Sequence, residues 1–329
     1  MTSMRAVPRP TVAGLSFRPL VAEDAGQWLE LVVRIAEAEN APWHDQLSDL
    51  TEVLGSAANP AADNTLVGVD GDGVPRAYGY VAKSPGGPVG FVFGGVDPLW
   101  QRRGAGAAVL AWQQDVSRSR FAAEDQASAG ARCFARAGNT PHEAMLAAAG
   151  FGRVRYFTEM ERPLTFIPEP VTVPGVRVVP FTPGLGEAVR LAHNEAFADH
   201  WGSESRSSEK WEYFLGHESF RPDLSTVAVD EASGEVAGYQ MSMFDADAAA
   251  SEGRRCGYTD ILGVRRAWRG RGIAPALLID AMARYRAAGM DAATLDVDTE
   301  NPSGAVGLYG KLGYTAIPGR VTVAWDKAL

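Results

Sequence analysis

Two short segments of the chain repeat one another about half of its 329 residues apart. Val96–Gly106 reads VDPLWQRRGAG, and Val264–Ala274 reads VRRAWRGRGIA. Val96 aligns with Val264, Trp100 with Trp268, Arg103 with Arg271 and Gly104 with Gly272, without a gap. A period that long exceeds a solenoid unit and fits a whole domain. The chain is therefore expected to hold two copies of one domain. Each copy carries a Gln/Arg-x-x-Gly-x-Gly/Ala turn between an apolar strand and a helix.

That turn has the chemistry of an anion site. In the second copy the apolar run Ile261-Leu262-Gly263-Val264 precedes it and Pro275-Ala276-Leu277-Leu278-Ile279 follows. Pro275 fits a first helical turn, where an amide lacks a partner anyway. Leu277, Ala281 and Tyr285 recur at four-residue spacing, and Gly289 ends the helix. A glycine turn opening a helix aims unpaired amides at one point, and the helix dipole adds positive potential. Arg265, Arg266, Arg269 and Arg271 concentrate charge on the loop, while Gly272 and Ala274 let a phosphate approach the backbone. A solvated arginine-rich turn is the plain alternative. Recurrence in matching context weighs against it.

Composition narrows the class. A hydrophobic content of 46% supports two ordinary cores. No apolar run approaches the roughly 18 residues of a membrane helix. Met1–Arg5 lacks a signal core, so a cytoplasmic setting is expected. Cys133 and Cys256 stand apart from any ligand pattern and are expected to be structural. His193 and His200 are expected to share one helix face, but no third ligand accompanies them, so no metal is expected. A net charge of −9 disfavours nucleic acid and is compatible with a cationic amine. Neither nucleic acid nor membrane is expected as a partner, and the chain is expected to be a monomer or homodimer.

The join is expected in Pro163–Pro174, where four prolines favour an extended connector. Before it Val154–Met160 reads as a final strand; after it Val176–Phe181 opens the second copy as Leu15–Leu20 opens the first. The expected partition is a domain over 1–165, a linker over 166–175 and a domain over 176–329. Each half shows a helix, a hairpin (Leu66–Ala82; Thr226–Ser242), the motif strand and helix, a further strand and a last helix. That order predicts a mixed α/β domain with helices on both faces of its sheet.

The turn with its strand and helix resembles the acetyl-coenzyme A motif of the GCN5-related N-acetyltransferases. Asn301-Pro302-Ser303-Gly304-Ala305-Val306-Gly307-Leu308-Tyr309-Gly310-Lys311-Leu312-Gly313-Tyr314 resembles that family's "Asn … Leu-Tyr-x-Lys-x-Gly-Phe/Tyr" segment. The similarity spans the second half and, less completely, residues 15 to 162. Tandem members of this size include the mycothiol synthases, which are similar in architecture. The resemblance implies two tandem acyltransferase domains and acetyl transfer from acetyl-CoA to a primary amine of a small molecule. A protein lysine or N-terminus as acceptor, and a non-catalytic acyl-CoA sensor, are the alternatives.

The resemblance also distributes roles. Leu262 and Val264 would hold the pantetheine arm by their backbone. Arg269, Gly270, Arg271, Gly272, Ile273 and Ala274 would hold the pyrophosphate, and Asn301 belongs to the same donor site. Val96, Gln101, Arg103, Gly104 and Gly106 would form a second donor site in the first half. Tyr309 is implied as the acid for the departing thiolate. Aligning Gly150-Phe151 with Gly313-Tyr314 sets Leu146 opposite Tyr309, so the first half is expected to be degenerate. An ammonium must lose a proton before attack. Tyr258, Asp260, Leu262 and Val264 alternate and are expected to share a strand face, with Asp260 as the base. Glu195, Asp199 and His200 would orient the acceptor or form a solvated polar face. No cysteine sits suitably for a covalent acetyl-enzyme.

Overall fold

A computed structural model describes residues 6–41, 43–126, 129–300 and 304–329. The chain forms two compact units: Met1–Tyr156 with Val321–Leu329, and Phe157–Arg320. In the first, β1 (Ser16–Arg18), α1 (Ala25–Glu39), α2 (Leu47–Gly55) and α3 (Ala61–Asn64) precede β2 (Thr65–Val69) and β3 (Pro75–Ala82). Then follow β4 (Val89–Val96), α4 (Ala105–Ala123), β5 (Gly130–Arg136), α5 (Thr140–Ala148) and β6 (Gly152–Pro163). The second copy runs β7 (Val176–Pro180), α6 (Gly186–Ala196), α7 (Ser208–Gly216), β8 (Thr226–Asp230), β9 (Val236–Met243) and α8 (Ala246–Glu252). It closes with β10 (Cys256–Val264), α9 (Ile273–Ala287), β11 (Ala292–Asp298), α10 (Ala305–Lys311) and β12 (Thr315–Ala328).

Both units build the same mixed sheet. The first unit orders its strands β1-β2-β3-β4-β5-β12, and the second β7-β8-β9-β10-β11-β6. Among the described residues, each unit has one parallel neighbouring pair, β4 with β5 and β10 with β11. Apolar periodicity places a helix layer on each face. In the first unit Val109, Trp112 and Val116 of α4 pack on one side, and Trp28 and Leu31 of α1 on the other. In the second, Leu278, Met282 and Tyr285 of α9 oppose Val189 of α6 and Trp211 of α7.

Two boundaries differ from those read off the sequence. Residues 166–175 are not a free linker. Val173 is buried with Ile273, Ala276 and Leu277 of α9, and it forms an isolated bridge with Val176. The first unit has the same device, a bridge from Val12 to Leu15. Thr11-Val12-Ala13-Gly14 and Thr172-Val173-Pro174-Gly175 are therefore copies, and the second repeat begins inside the proline-rich stretch.

The second difference is an exchange of strands. Phe157–Pro163 pairs not with β5 but with β11, antiparallel, from Asp298↔Phe157 to Ala292↔Pro163. The place beside β5 is taken by the last strand of the chain, from Thr322↔Arg136 to Ala328↔Gly130. Each unit thus receives its sixth strand from the other copy's sequence. A segment that reads as a final strand locally says nothing about which of two equivalent sheets receives it.

Candidate active site

The repeated turn keeps one geometry in both units. Gly104 caps α4 with φ 84°, and Gly272 caps α9 with φ 86°, a left-handed conformation that favours glycine. Ala108 N donates to Gly104 O at 3.0 Å, and Ala276 N donates to Gly272 O at 3.1 Å. Ile273 and Ala274 open α9, so their amides lack intrahelical acceptors and, with the Gly272 amide, form a donor-rich end of the kind that suits an anion. Ala105 and Gly106 occupy the same places on α4. Gly270 has φ 76°, and Arg102 adopts φ 62° at the matching position.

The arginines on this turn divide into tied and untied. Arg265 Nε donates to Glu195 Oε2 at 2.6 Å, and Arg266 pairs with Asp199. Arg269 donates to Val264 O at 3.1 Å and to Ala196 O at 2.8 Å. These three guanidiniums tie the end of α6 to the turn, with Glu195 and Asp199 engaged in that tie. Among the described arginines of this turn, Arg271 is the exposed one whose guanidinium has neither a main-chain nor a side-chain partner. In the first unit Gln101 is exposed, and the Arg103 guanidinium lies 4.6 Å from the Trp100 ring centroid.

Beside the turn the parallel strands part. β10 pairs with β11 only from Cys256↔Ala292 to Thr259↔Leu295, although β10 continues to Val264 and β11 to Asp298. Among the described residues, the edge of β10 from Asp260 to Val264 therefore has no strand opposite it on that side. Backbone groups left unpaired in this way can take an extended ligand as an added strand. β4 and β5 part similarly, after Phe91↔Arg132.

A β-bulge at Asp260 distinguishes the second unit. The β9–β10 register shifts between Thr259 and Ile261, whereas β3 and β4 pair without interruption from Ala77↔Val96 to Ala82↔Phe91. The bulge overturns the expected alternation. Thr259 faces α9, where Gln240 Nε2 donates to its Oγ1 at 3.1 Å and to the Tyr285 hydroxyl at 2.9 Å. Beyond the bulge Ile261 packs with the α6 cluster, and Leu262 and Val264 pack with the α9 cluster. A Cβ on Gly257 would lie 2.5 Å from the Tyr285 ring of α9, and one on Gly263 would lie 2.5 Å from the Tyr239 hydroxyl on the opposite side. Two odd-numbered glycines thus face opposite ways. Tyr258 and Asp260 do not share a face with Leu262 and Val264, because the extra residue inverts the pleat.

Asp260 is solvent-exposed and makes no hydrogen bond among the described residues. Enough protein surrounds it to strip hydration from the carboxylate, which raises its pKa. Arg206 and His217 pull the value down, and Asp296 pushes it up. Val92 stands at the same distance before the first turn glycine and is 1% exposed.

Tyr309, on α10, is 9% exposed, with its ring centroid 5.9 Å from that of Tyr314. Burial pushes its phenol up to about 12. Tyr314 N donates to Tyr309 O at 3.0 Å, and Phe151 N donates to Leu146 O at 3.0 Å. The identical main-chain bond places Leu146, fully buried in the first core, where the second unit has its tyrosine. Asn301 lies outside the described residues.

His193 is a core residue. It is 4% exposed, shares a 2.8 Å hydrogen bond between Nδ1 and the Tyr239 hydroxyl, and stacks on Phe197. His200 lies beyond the end of α6, so the two histidines share no helix face. Desolvation, aided by Arg206, lowers the His193 pKa to about 4. The unfolded chain near 6.5 therefore binds the proton first. The neutral form stabilises the fold fully above that value, and this contribution is lost as pH falls toward 4. The second unit's melting temperature should drop across pH 6.5 to 4, and His193→Phe should flatten that part of the curve. A parallel profile in the variant would assign the loss to other groups.

Cys133 is 7% exposed, and burial pushes its thiol up to about 12, so it is inert in this state. Among the described residues no helix is long and apolar enough to cross a membrane.

The geometry is that of an acyltransferase scaffold, and comparison with known proteins agrees. Residues 187–314 match the family model described as Acetyltransferase (GNAT) family. The chain belongs to that family, as a tandem two-domain member, and is an acyltransferase. It is 33% identical over 299 residues to the mycothiol acetyltransferase of Thermobispora bispora, covering 87% of this chain and 92% of that one. The mycothiol acetyltransferase of Thermomonospora curvata is 30% identical over 309 residues, covering 91% and 94%. Among solved structures, a GCN5-related N-acetyltransferase from Sphaerobacter thermophilus superimposes with a TM-score of 0.73 at 26% identity, over 97% of each chain. A tandem GNAT protein from the clavulanic acid biosynthesis pathway shares the fold, with a TM-score of 0.68 at 20% identity over 95% of this chain and 98% of that one.

Proposed function

We propose that the second unit transfers an acetyl group from acetyl-CoA to a primary amine of a small molecule, by direct attack in a ternary complex. The observation that carries this reading is the coincidence, in one unit, of the glycine-capped turn, the parted strands, Asp260 and Tyr309. The first unit keeps the turn and the parting but has Val92 and Leu146 in place of the two titratable groups. It serves as a scaffold or a second ligand site. The relatives' name, mycothiol acetyltransferase, supports a small-molecule acceptor over a protein tail.

In this reading the turn amides from Gly272 to Ala274 and the side chain of Arg271 hold the pyrophosphate. The unpaired backbone of Leu262 and Val264 holds the pantetheine arm. The acceptor enters as an ammonium and gives one proton to Asp260. The nitrogen pair then bonds to the acyl carbon, the carbon–sulfur bond breaks toward sulfur, and Tyr309 hydrogen-bonds the departing thiolate. The second nitrogen proton leaves to solvent, and sulfur is finally protonated. A cytoplasmic setting suits this substrate pair.

Calorimetry with acetyl-CoA tests the donor site. Gly272→Glu should weaken binding by at least roughly 100-fold, because its charge opposes the pyrophosphate in a helix-terminal site. Gly272→Ala carries the same backbone strain without the charge and should bind much more tightly than the glutamate variant. In turnover, Gly272→Glu should lose most activity and Gly104→Glu should keep most of it. Unchanged affinity in folded Gly272→Glu protein, or the reverse ranking of the two sites, would overturn the assignment.

A further inference from the structure

Strands β10 and β11 stop pairing at Thr259↔Leu295, and the next residue on each is an aspartate, Asp260 and Asp296. The two carboxylates therefore bracket the vertex where the strands part, beside the unpaired edge of β10. Tyr258, immediately before the last paired residue, donates its hydroxyl to Asp296 Oδ2 at 2.9 Å. Its other carboxylate oxygen has no partner among the described residues, and the side chain is exposed.

The surrounding charges do not neutralise this pair. On β6, Glu159 accepts from Arg320 at 3.2 Å, and Arg320 also pairs with Glu252 on α8. Arg254 bridges Glu252 and Glu161. Two arginines thus answer three glutamates, and no arginine or lysine is in contact with Asp296 or Asp260 among the described residues. Arg320 acts on Asp296, and Arg206 and His217 act on Asp260, only through space. Two carboxylates without a direct cationic contact make the mouth of this unpaired strand edge electronegative, which favours a cationic ligand there.

We infer that Asp296, oriented by Tyr258, is the acceptor-binding carboxylate that holds a primary ammonium opposite Asp260. This rests on the acetyl-transfer reading above and assigns the two acids different tasks. Asp296 is fixed by a hydrogen bond and keeps one free oxygen, which suits binding. Asp260 has no partner and suits taking the proton: one ammonium N–H bond breaks, its electron pair stays on nitrogen, and the proton passes to the carboxylate. Asp296 is raised by desolvation, while the Tyr258 hydrogen bond and Arg320 hold it down. Removing the Tyr258 hydroxyl moves its ionisation to higher pH.

The test compares ethylamine with 2,2,2-trifluoroethylamine, whose fluorines leave it largely uncharged at neutral pH. Asp296→Asn should raise KM for ethylamine at least roughly tenfold, the scale of one charge-assisted hydrogen bond. Its kcat should stay within about threefold and its acetyl-CoA affinity should be unchanged, since binding rather than transition-state stabilisation is lost. KM for trifluoroethylamine should barely move. Tyr258→Phe, which tests the proposal should Asp296→Asn fail to fold, should shift the acid side of ethylamine kcat/KM to higher pH. Equal effects on both amines, a parental KM in Asp296→Asn, or an unshifted profile in Tyr258→Phe would overturn the proposal. Ethylammonium binding can also be read from the carboxyl 13C resonance of Asp296. An unperturbed resonance overturns the subsite even if acetylation proceeds. A perturbed one without acetylation supports the subsite and overturns the acetyl-transfer reading instead.

Discussion

Tyr309→Phe is expected to lower kcat by about 10²–10³-fold, the cost of losing one donor aimed at developing negative charge. The size follows from the environment of the phenol. Burial pushes it up to about 12, whereas a coenzyme A thiol is near 8.5 by analogy with cysteine. Complete proton transfer to sulfur in the unliganded environment would be uphill by about 3.5 pH units, or roughly 5 kcal/mol. In the proposed reaction the hydroxyl therefore acts best as a hydrogen-bond donor that stabilises the thiolate as it forms, with solvent completing the protonation. Phenylalanine keeps the ring against Tyr314, so melting temperature and acetyl-CoA affinity should hardly change. The deficit should be uniform from neutral pH to about 10, because a phenol near 12 remains protonated throughout that range. A variant turning over at the parent rate would reduce Tyr309 to a packing residue. A deficit that vanishes on mild alkalinisation would assign the effect to another group.

The turn proposed for the donor was legible as a piece of backbone because its requirements are local. A positive-φ residue before a helix selects glycine, and Gly104 and Gly272 announce the same turn twice. The Tyr309/Leu146 contrast was legible for the same reason, since each is fixed by a glycine four residues on. The acceptor side was not. Tyr258, Asp260, Leu262 and Val264 read as a regular alternation, and period-two reasoning has no way to register one inserted residue. The signal that could have exposed it lies in Gly257 and Gly263, each pressed by a tyrosine ring on a different face of the sheet. Asp296 carries no local signal of its own. Its significance depends on where pairing with β10 ends, which is a tertiary fact. The arginines carried a related ambiguity. Composition shows four charges on one loop but not that Arg265, Arg266 and Arg269 are committed to the end of α6.

The proline-rich stretch was misread for a different reason. Four prolines predict extended backbone correctly but not whether that backbone is solvated or packed. The copied Thr-Val-x-Gly in residues 11–14 and 172–175 was the better guide, because Val12 and Val173 make the same bridge.

Deleting Val321–Leu329 is expected to unfold the first unit while leaving the second largely folded, although the deleted residues are the most distant from it in sequence. Val323, Ala324 and Trp325 are 1%, 0% and 4% exposed, and Val323 and Trp325 belong to the core formed by α4, α5 and β5. Arg132 donates to both carboxylate oxygens of Asp326 at 2.7 Å. Lys327 donates to Ala149 O at 2.6 Å, at the end of α5. Truncating Trp325 alone to alanine should cost about 3–5 kcal/mol, a large fraction of the roughly 5–15 kcal/mol that holds an ordinary domain. Removing the whole strand also leaves the edge of β5 without its ladder, exposing backbone groups and apolar surface together. Hydrogen exchange distinguishes the units directly. Protection should collapse in α4, β5 and α5 of the truncated chain and persist in α9 and β11, whose sixth strand is Phe157–Pro163. By the same logic residues 1–165, the domain that the sequence outlines, should not fold cooperatively alone. Residues 6–156 joined by a flexible linker to 321–329 should recover a cooperative transition. Full protection in the truncated chain, or a cooperative melt of 1–165 by itself, would show that the first copy closes its sheet with its own final strand.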